Sequence, residues 1–472
     1  MPDASLKIEN ARYIITMDDE RRIIRDGAVL VEGSRITEVG KSAAMAGVAA
    51  DRVIDADGMV VAPGLVNGHM HVSYAHATRG IFPDSLGSNY LPNVFRLQGE
   101  MTAEEEYLTS LLGITELLKY GTTTFIDPGS TKFLDSALRA YEQSGCRIIV
   151  GAHVTDLPNP VNLPVYETGD AISIVERTIR DYDGALDGRV RAWAMPFGPN
   201  FATPRLLQES RRLADANGVS LTLHFNNSRA YVESCLREHG ARPAQYLESL
   251  GVLGENVVMS HCLGLDRSEV EALARTGTKV VAVPTAAVKS GFGMTESSNP
   301  APSPGIDMPG GLLPEMLEAG ITAGIGTDAG NNSNLIETNR AMYLIAVLYK
   351  DARRSTTAIT AETALELATI SGARTLGLGS EIGSIEPGKK ADLALYDTRR
   401  AEWATLFNPV NSLVYNADGR SVHTVVVDGR VVVENHTPLF VDEQALIAEV
   451  QAVGESMLAR TGLSFPSPWP VV

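Results

Sequence analysis

The chain has 472 residues, 44% of them hydrophobic, and a net charge of −17 from 40 basic and 57 acidic side chains. That length predicts one large domain with a smaller companion, and no run reaches the roughly 20 apolar residues that span a bilayer. The acidity argues against nucleic acid or an anionic membrane as partner, since both need clustered cations.

Residues 5 to 62 carry short β-rich runs (YIITM, AVLVEG, RITEVG, RVIDADG, MVVAPG) broken by Gly or Asp, a meander of small antiparallel strands. The opening residues lack a secretory pattern. Pro63 then starts PGLVNGHMHVS, an apolar strand ending in His69 and His71. A one-residue gap on a strand returns both imidazoles to one side, where two neutral nitrogens suit a divalent metal. Thr102 opens a capping box with Glu105, and Tyr107, Leu108, Leu111, Leu112 and Leu118 share a helical face before Gly121. Short apolar runs then alternate with helical patterns: VNGHMH, TTTFID, RIIVGAHV, VRAWAMPFG, VSLTLHF, NVVMSHC, KVVAVPT and TAGIGTD are eight candidate strands. This regular α/β series predicts a TIM-type (β/α)8 barrel rather than an open doubly wound sheet, and no GxGxxG follows the first strand. Strand runs of the first kind return near Ile382, with an Asp428-Gly429 hairpin signal. The expected organisation is a discontinuous small β-sandwich domain (1–62 and 377–440), a catalytic barrel (63–376), and a C-terminal helix and tail (441–472).

Barrel enzymes carry their chemistry at the C-terminal ends of the strands. His69, His71, His224, His261 and Asp328 all fall there, using four of the nine histidines. His153 follows the third strand as a substrate contact, and Asp127 ends the second either in the site or as a helix cap. His76 either lines the pocket or is an exposed loop histidine, and Arg79 either contacts substrate or pairs with a barrel carboxylate. Cys146, Cys235 and Cys262 are scattered with no CxxC, which argues against a disulfide framework and for a reducing, cytoplasmic setting.

PGLVNGHMH, LHF, SHC, GIGTDAG, ATISGARTLGL and EIGSIEPGKKADLALYD together resemble the amidohydrolase superfamily, in its cytosine-deaminase-like and triazine-chlorohydrolase-like branch. The resemblance implies one divalent metal held by His69, His71, His224 and Asp328, with zinc first and cobalt, iron or manganese as alternatives. Such an ion lowers the pKa of a coordinated water from about 16 towards 7. Asp328 and His261 are then the catalytic pair, moving a proton and orienting the attack. A bridging lysine, which binuclear members carry at the end of strand four, is missing from VRAWAMPFGPNF, so one metal is expected. The branch's HxxE is here HFNN, with Asn227 in place of the acid that protonates a ring nitrogen. Asn227 therefore favours a urea, carbamate, thiocarbamate or amide substrate, as in phenylurea hydrolases and molinate hydrolase. The alternative is an aminohydrolase or dechlorinase acting on a nitrogen heterocycle. Ala286 and Ala287 stand where relatives often show Ser-Asn, which suits an apolar substrate. A symmetric homo-oligomer is expected of a large enzyme of this kind.

Overall fold

A computed structural model describes residues 6–226, 229–291, 311–467 and 469–470, so Asn227 lies outside the described residues. The N-terminal runs form β1 (Leu6–Ile15), β2 (Ile23–Glu32), β3 (Arg35–Lys41), β4 (Arg52–Asp55) and β5 (Met59–Pro63). The eight candidate strands follow as β6 (Leu65–Asn67), β7 (Thr122–Ile126), β8 (Arg147–Val150), β9 (Val190–Ala192), β10 (Leu221–Phe225), β11 (Val257–His261), β12 (Lys279–Ala282) and β13 (Ala323–Ile325). Each is shorter than its apolar run, and in all but β10 the run continues past the end of the strand into the following loop. The last strands are β14 (Leu393–Asp397), β15 (Val422–Val427), β16 (Arg430–Glu434) and β17 (Thr437–Pro438).

The two ends of the chain build one nine-stranded sheet, ordered β17-β16-β15-β14-β5-β1-β2-β3, with β4 also on β1. Their seam is the antiparallel pair β5–β14, where Leu393 faces Pro63. The sheet is mixed rather than the antiparallel meander expected, because β4 and β5 both run parallel to β1. Alternating burial specifies which face of a strand is covered and says nothing about its direction. Asp428 and Gly429, at φ 51° and 80°, make the tight β15–β16 turn that the Asp-Gly pair signals.

The other eight strands form two four-stranded parallel sheets, β6-β7-β8-β9 and β10-β11-β12-β13. A parallel bridge between Ala194 and Leu221 joins them at one seam. At the other, Gly68 N–H donates to the Ile325 carbonyl at 2.7 Å. Helices lie between successive strands, beginning with α1 (Tyr90–Gly99) and α2 (Ala103–Lys119). Thr102 and Glu105 make both halves of the capping box at the start of α2. The buried face of α2 is Leu111, Ile114, Leu117 and Leu118, while Tyr107, Leu108 and Leu112 are only partly covered, a rotation from the face read in the sequence. Each such fully buried side chain stabilises the fold by about 1.5–3 kcal/mol.

One buried ionic cluster ties the parallel strands to the nine-stranded sheet. Arg147, the first residue of β8, donates to both oxygens of Asp392 at 2.9 and 3.1 Å and to Asp428 at 3.2 Å. Lys390 reaches the same Asp428 oxygen at 2.9 Å. Burial works against the Arg147 charge, but Asp392 and Asp428 outweigh it and hold the guanidinium above its ordinary value. The C-terminal helix, Glu443–Thr461, packs on α2 through Lys119–Glu443 at 2.6 Å, and Phe465 of the following tail meets Phe82 edge to face.

Candidate metal centre

His69 and His71 leave β6 against the end of β13. The His69 carbonyl accepts from both Thr327 N and Asp328 N at 3.0 Å, which sets Asp328 beside the histidine pair. Residue 326 must be glycine for this approach, since a Cβ there would lie 2.7 Å from the His69 carbonyl oxygen. His224 is the penultimate residue of β10, donating its backbone N–H to the Phe197 carbonyl at 3.0 Å. The Phe197 ring stacks on the His224 ring, 4.6 Å apart and 16° from parallel, so the imidazole is clamped face-on. His261 ends β11. His261 and Asp328 have φ of 76° and 66°, left-handed values that cost a non-glycine residue about 1–2 kcal/mol and recur where a site needs a side chain aimed off the strand.

All five residues read from the strand ends converge. Ring centroids lie 5.1 Å apart for His69–His71, 5.0 Å for His69–His224 and 4.7 Å for His69–His261. Two overlapping groups, His69–His224–His261 and His69–His71–Asp328, each bring their ligand atoms within 4.8 Å of one another. His71 Nε2 is 3.5 Å from Asp328 Oδ1. Both ring nitrogens of His69 and Nδ1 of His71 are buried with no hydrogen-bond partner. Leaving a buried polar atom unpaired costs about 1–3 kcal/mol, so this many orphaned nitrogens beside a carboxylate fit a divalent cation well.

Burial drives the histidine electrostatics. It presses His69, His153 and His224 well below the ordinary imidazole value, with neighbouring histidines adding to the effect. It lowers His261 too, against the pull of Asp328. Neutral rings are the form that binds metal. For the metal-free protein the sign follows directly. Unfolded histidines take up protons as pH falls through 6.5 while these buried ones do not, so the unfolded state binds more protons and stability is lost. Urea midpoints of metal-free protein should therefore be higher at pH 7.5 than at 5.5; equal midpoints would contradict neutral burial.

A cavity of about 160 Å³ opens over the cluster. Its wall includes His71, His153, His224, His261 and Asp328, with Tyr74, Tyr90, Phe95 and Phe197 as aromatic faces and Ala286 and Ala287 among the small residues. The His153 ring hydrogen-bonds the Pro128 backbone, which offers only a carbonyl, and its Nε2 is buried and unpartnered. His153 is therefore oriented with a free acceptor nitrogen.

His76 and Arg79 are not among the residues lining this cavity, and for Arg79 the alternative, pairing with a carboxylate, is what the structure shows. Arg79 Nη2 bonds Glu116 Oε2 of α2 at 2.5 Å, and His76 Nε2 is 3.6 Å from the same oxygen. The loop after His71 folds back onto α2 at Gly113, where a Cβ would come within 2.8 Å of the His76 ring. Asp127 is buried, accepting from Ser130 N and Oγ and from Thr131 Oγ1, with Oδ1 3.9 Å from His71 Nδ1. It anchors the loop behind the cluster. Phe197, Tyr74, Tyr90 and Asn332 of the cavity wall were not singled out from the sequence. Of these only Phe197 carried a signal, as a member of the apolar run VRAWAMPFG.

Among the described residues no helix is long and apolar enough to cross a membrane. Residues 60–432 match the model of the amidohydrolase family. The chain is 31% identical over 461 residues to a 5′-deoxyadenosine deaminase of Methanosarcina acetivorans, covering 97% of this chain and 99% of that protein. It is 31% identical over 448 residues to a 5-methylthioadenosine/S-adenosylhomocysteine deaminase of Syntrophobacter fumaroxidans, covering 94% and 96%. Among solved structures, an adenosine deaminase from Xanthomonas campestris with bound zinc superposes with a TM-score of 0.84 at 25% identity, covering 97% of this chain and 100% of that one. An atrazine chlorohydrolase from Arthrobacter aurescens TC1 complexed with zinc also gives 0.84, at 24% identity, over 95% and 100%. These relatives are deaminases and a chlorohydrolase rather than phenylurea or thiocarbamate hydrolases. With a full-length match to such proteins and a convergent histidine–aspartate cluster, the chain belongs to the amidohydrolase family and is a metal-dependent hydrolase of carbon–nitrogen bonds.

Proposed function

We propose that this enzyme is an aminohydrolase that releases ammonia or an amine from a carbon of a nitrogen heterocycle. The observation that carries the reading is the near full-length similarity to deaminases of adenine nucleosides. The aromatic walls of the cavity support it, since a flat ring packs well between such faces. The eight parallel strands are read as one closed (β/α)8 barrel, 63–376, and segments 1–62 and 377–440 as a single small β domain, followed by the C-terminal helix and tail, 441–472. Zinc is the metal proposed, held by His69, His71, His224 and Asp328, in a cytoplasmic homo-oligomer.

When bound, the metal would lower the pKa of water and supply a nucleophile at neutral pH. Asp328 takes a proton at its cavity-facing oxygen and returns it to the leaving nitrogen. His261 orients the attack. His153, through its free Nε2, accepts a hydrogen bond from a substrate N–H. The aromatic walls exclude bulk water from the ring.

A second reading, hydrolysis of an open-chain urea, carbamate or thiocarbamate, is favoured by Asn227, three residues after His224 where this branch of the family carries glutamate. An amide cannot protonate a ring nitrogen. Turnover of 5′-deoxyadenosine and of aminated and chlorinated triazines, compared with N-aryl ureas and thiocarbamates, separates the two. Amine release from heterocycles alone is expected, and Asn227→Glu should raise it. Turnover of the ureas or thiocarbamates alone would overturn the proposal.

A further inference from the structure

The two oxygens of Asp328 have different surroundings. Oδ1 accepts from Ala329 N at 2.6 Å and lies 3.5 Å from His71 Nε2, on the side of the histidines. Oδ2 accepts from Asn332 Nδ2 at 3.0 Å, and Asn332 is itself part of the cavity wall. The Asn332 carbonyl oxygen is in turn taken by the Ser290 hydroxyl, which donates to it at 3.3 Å. That contact fixes which end of the amide faces the carboxylate. A flipped amide would set oxygen against oxygen, since an ionised carboxylate can only accept.

We infer that Asn332 is a positioning residue: it holds Oδ2 of Asp328 towards the cavity, with Ser290 fixing its amide, so that one carboxylate serves the metal with Oδ1 and the substrate's proton with Oδ2. The inference rests on the proposed proton-carrying role of Asp328. Ala329 N, a backbone group, keeps Oδ1 in place whatever stands at position 332. Losing the amide therefore frees rotation of Oδ2 without removing the aspartate from the cluster. Leucine has nearly the shape of asparagine and no donor, so Asn332→Leu isolates the hydrogen bond from the space it fills.

The test uses full-length zinc-loaded protein. With 5′-deoxyadenosine as substrate, Asn332→Leu should lower kcat about 10- to 100-fold, the scale of a misplaced reacting group, with KM and zinc content little changed. Ser290→Ala, at an exposed position, should lower kcat a few-fold in the native background and not at all in Asn332→Leu. A role in packing alone would make the two losses multiply. A crystal structure of zinc-loaded Asn332→Leu should show the Asp328 carboxylate turned, and this reads the inference even if 5′-deoxyadenosine is not turned over and the functional proposal fails. Native kcat in Asn332→Leu, an unmoved carboxylate, or equal Ser290→Ala losses in both backgrounds would overturn it.

Discussion

Replacing His224 with alanine should take the bound divalent metal, proposed as one zinc per chain, to near zero and lower kcat at least about 10³-fold, with the fold retained. The ring is held face-on by Phe197 and edge-on by His69. Its backbone bond to Phe197 survives the substitution, so the strand should keep its register. Asp328→Ala should do the same, for it removes both the carboxylate of the cluster and the group proposed to carry the proton. Metal analysis beside circular dichroism distinguishes an emptied site from an unfolded chain. Unchanged metal content in both variants would refute the ligand assignment.

The largest stability effect is expected away from the site, at Arg147. Arg147→Met leaves Asp392, only 2% exposed as a side chain, facing an apolar stem in place of two charge-assisted hydrogen bonds. Removing one partner of a buried pair costs about 3–5 kcal/mol because the remaining charge is uncompensated. Asp428, held below the usual carboxylate range by Lys390 and Arg147 against its own desolvation, loses part of that support. Its contribution is present above pH 3.8 and fades as pH falls through its lowered folded value, so the variant should also lose less on acidification than the native protein. Guanidinium melts at neutral and acid pH give both numbers. Adding Asp392→Asn to Arg147→Met should recover part of the loss, and a midpoint unmoved by Arg147→Met would show that the cluster does not couple the sheets.

Much of this architecture was legible in the sequence. The eight parallel strands lie where the apolar runs put them, and His69, His71, His224, His261 and Asp328 meet because strand ends share one face of such a fold. Periodicity reports only which side of an element is buried, and the misreadings follow from that. It could not show that β4 runs parallel to β1, nor that the loop carrying His76 and Arg79 turns back onto α2. Asn332 is invisible for a related reason: it sits in a turn four residues beyond Asp328, where no repeat marks the side chain that reaches back. Substrate choice was the least legible. Asn227 alone pointed to carbonyl chemistry, whereas similarity along the whole chain favours heterocycles, because many wall residues from separate loops jointly shape what enters.

The pairing of β5 with β14 has a consequence for how the protein is made. Pro63 leaves the ribosome more than three hundred residues before its partner Leu393, so the edge of β5 must wait through the synthesis of every parallel strand. An open strand edge is a template for pairing with other chains. The nascent chain is thus exposed to aggregation for most of its translation, and a ribosome that stalls before Leu393 leaves a product whose β5 edge lacks its native partner.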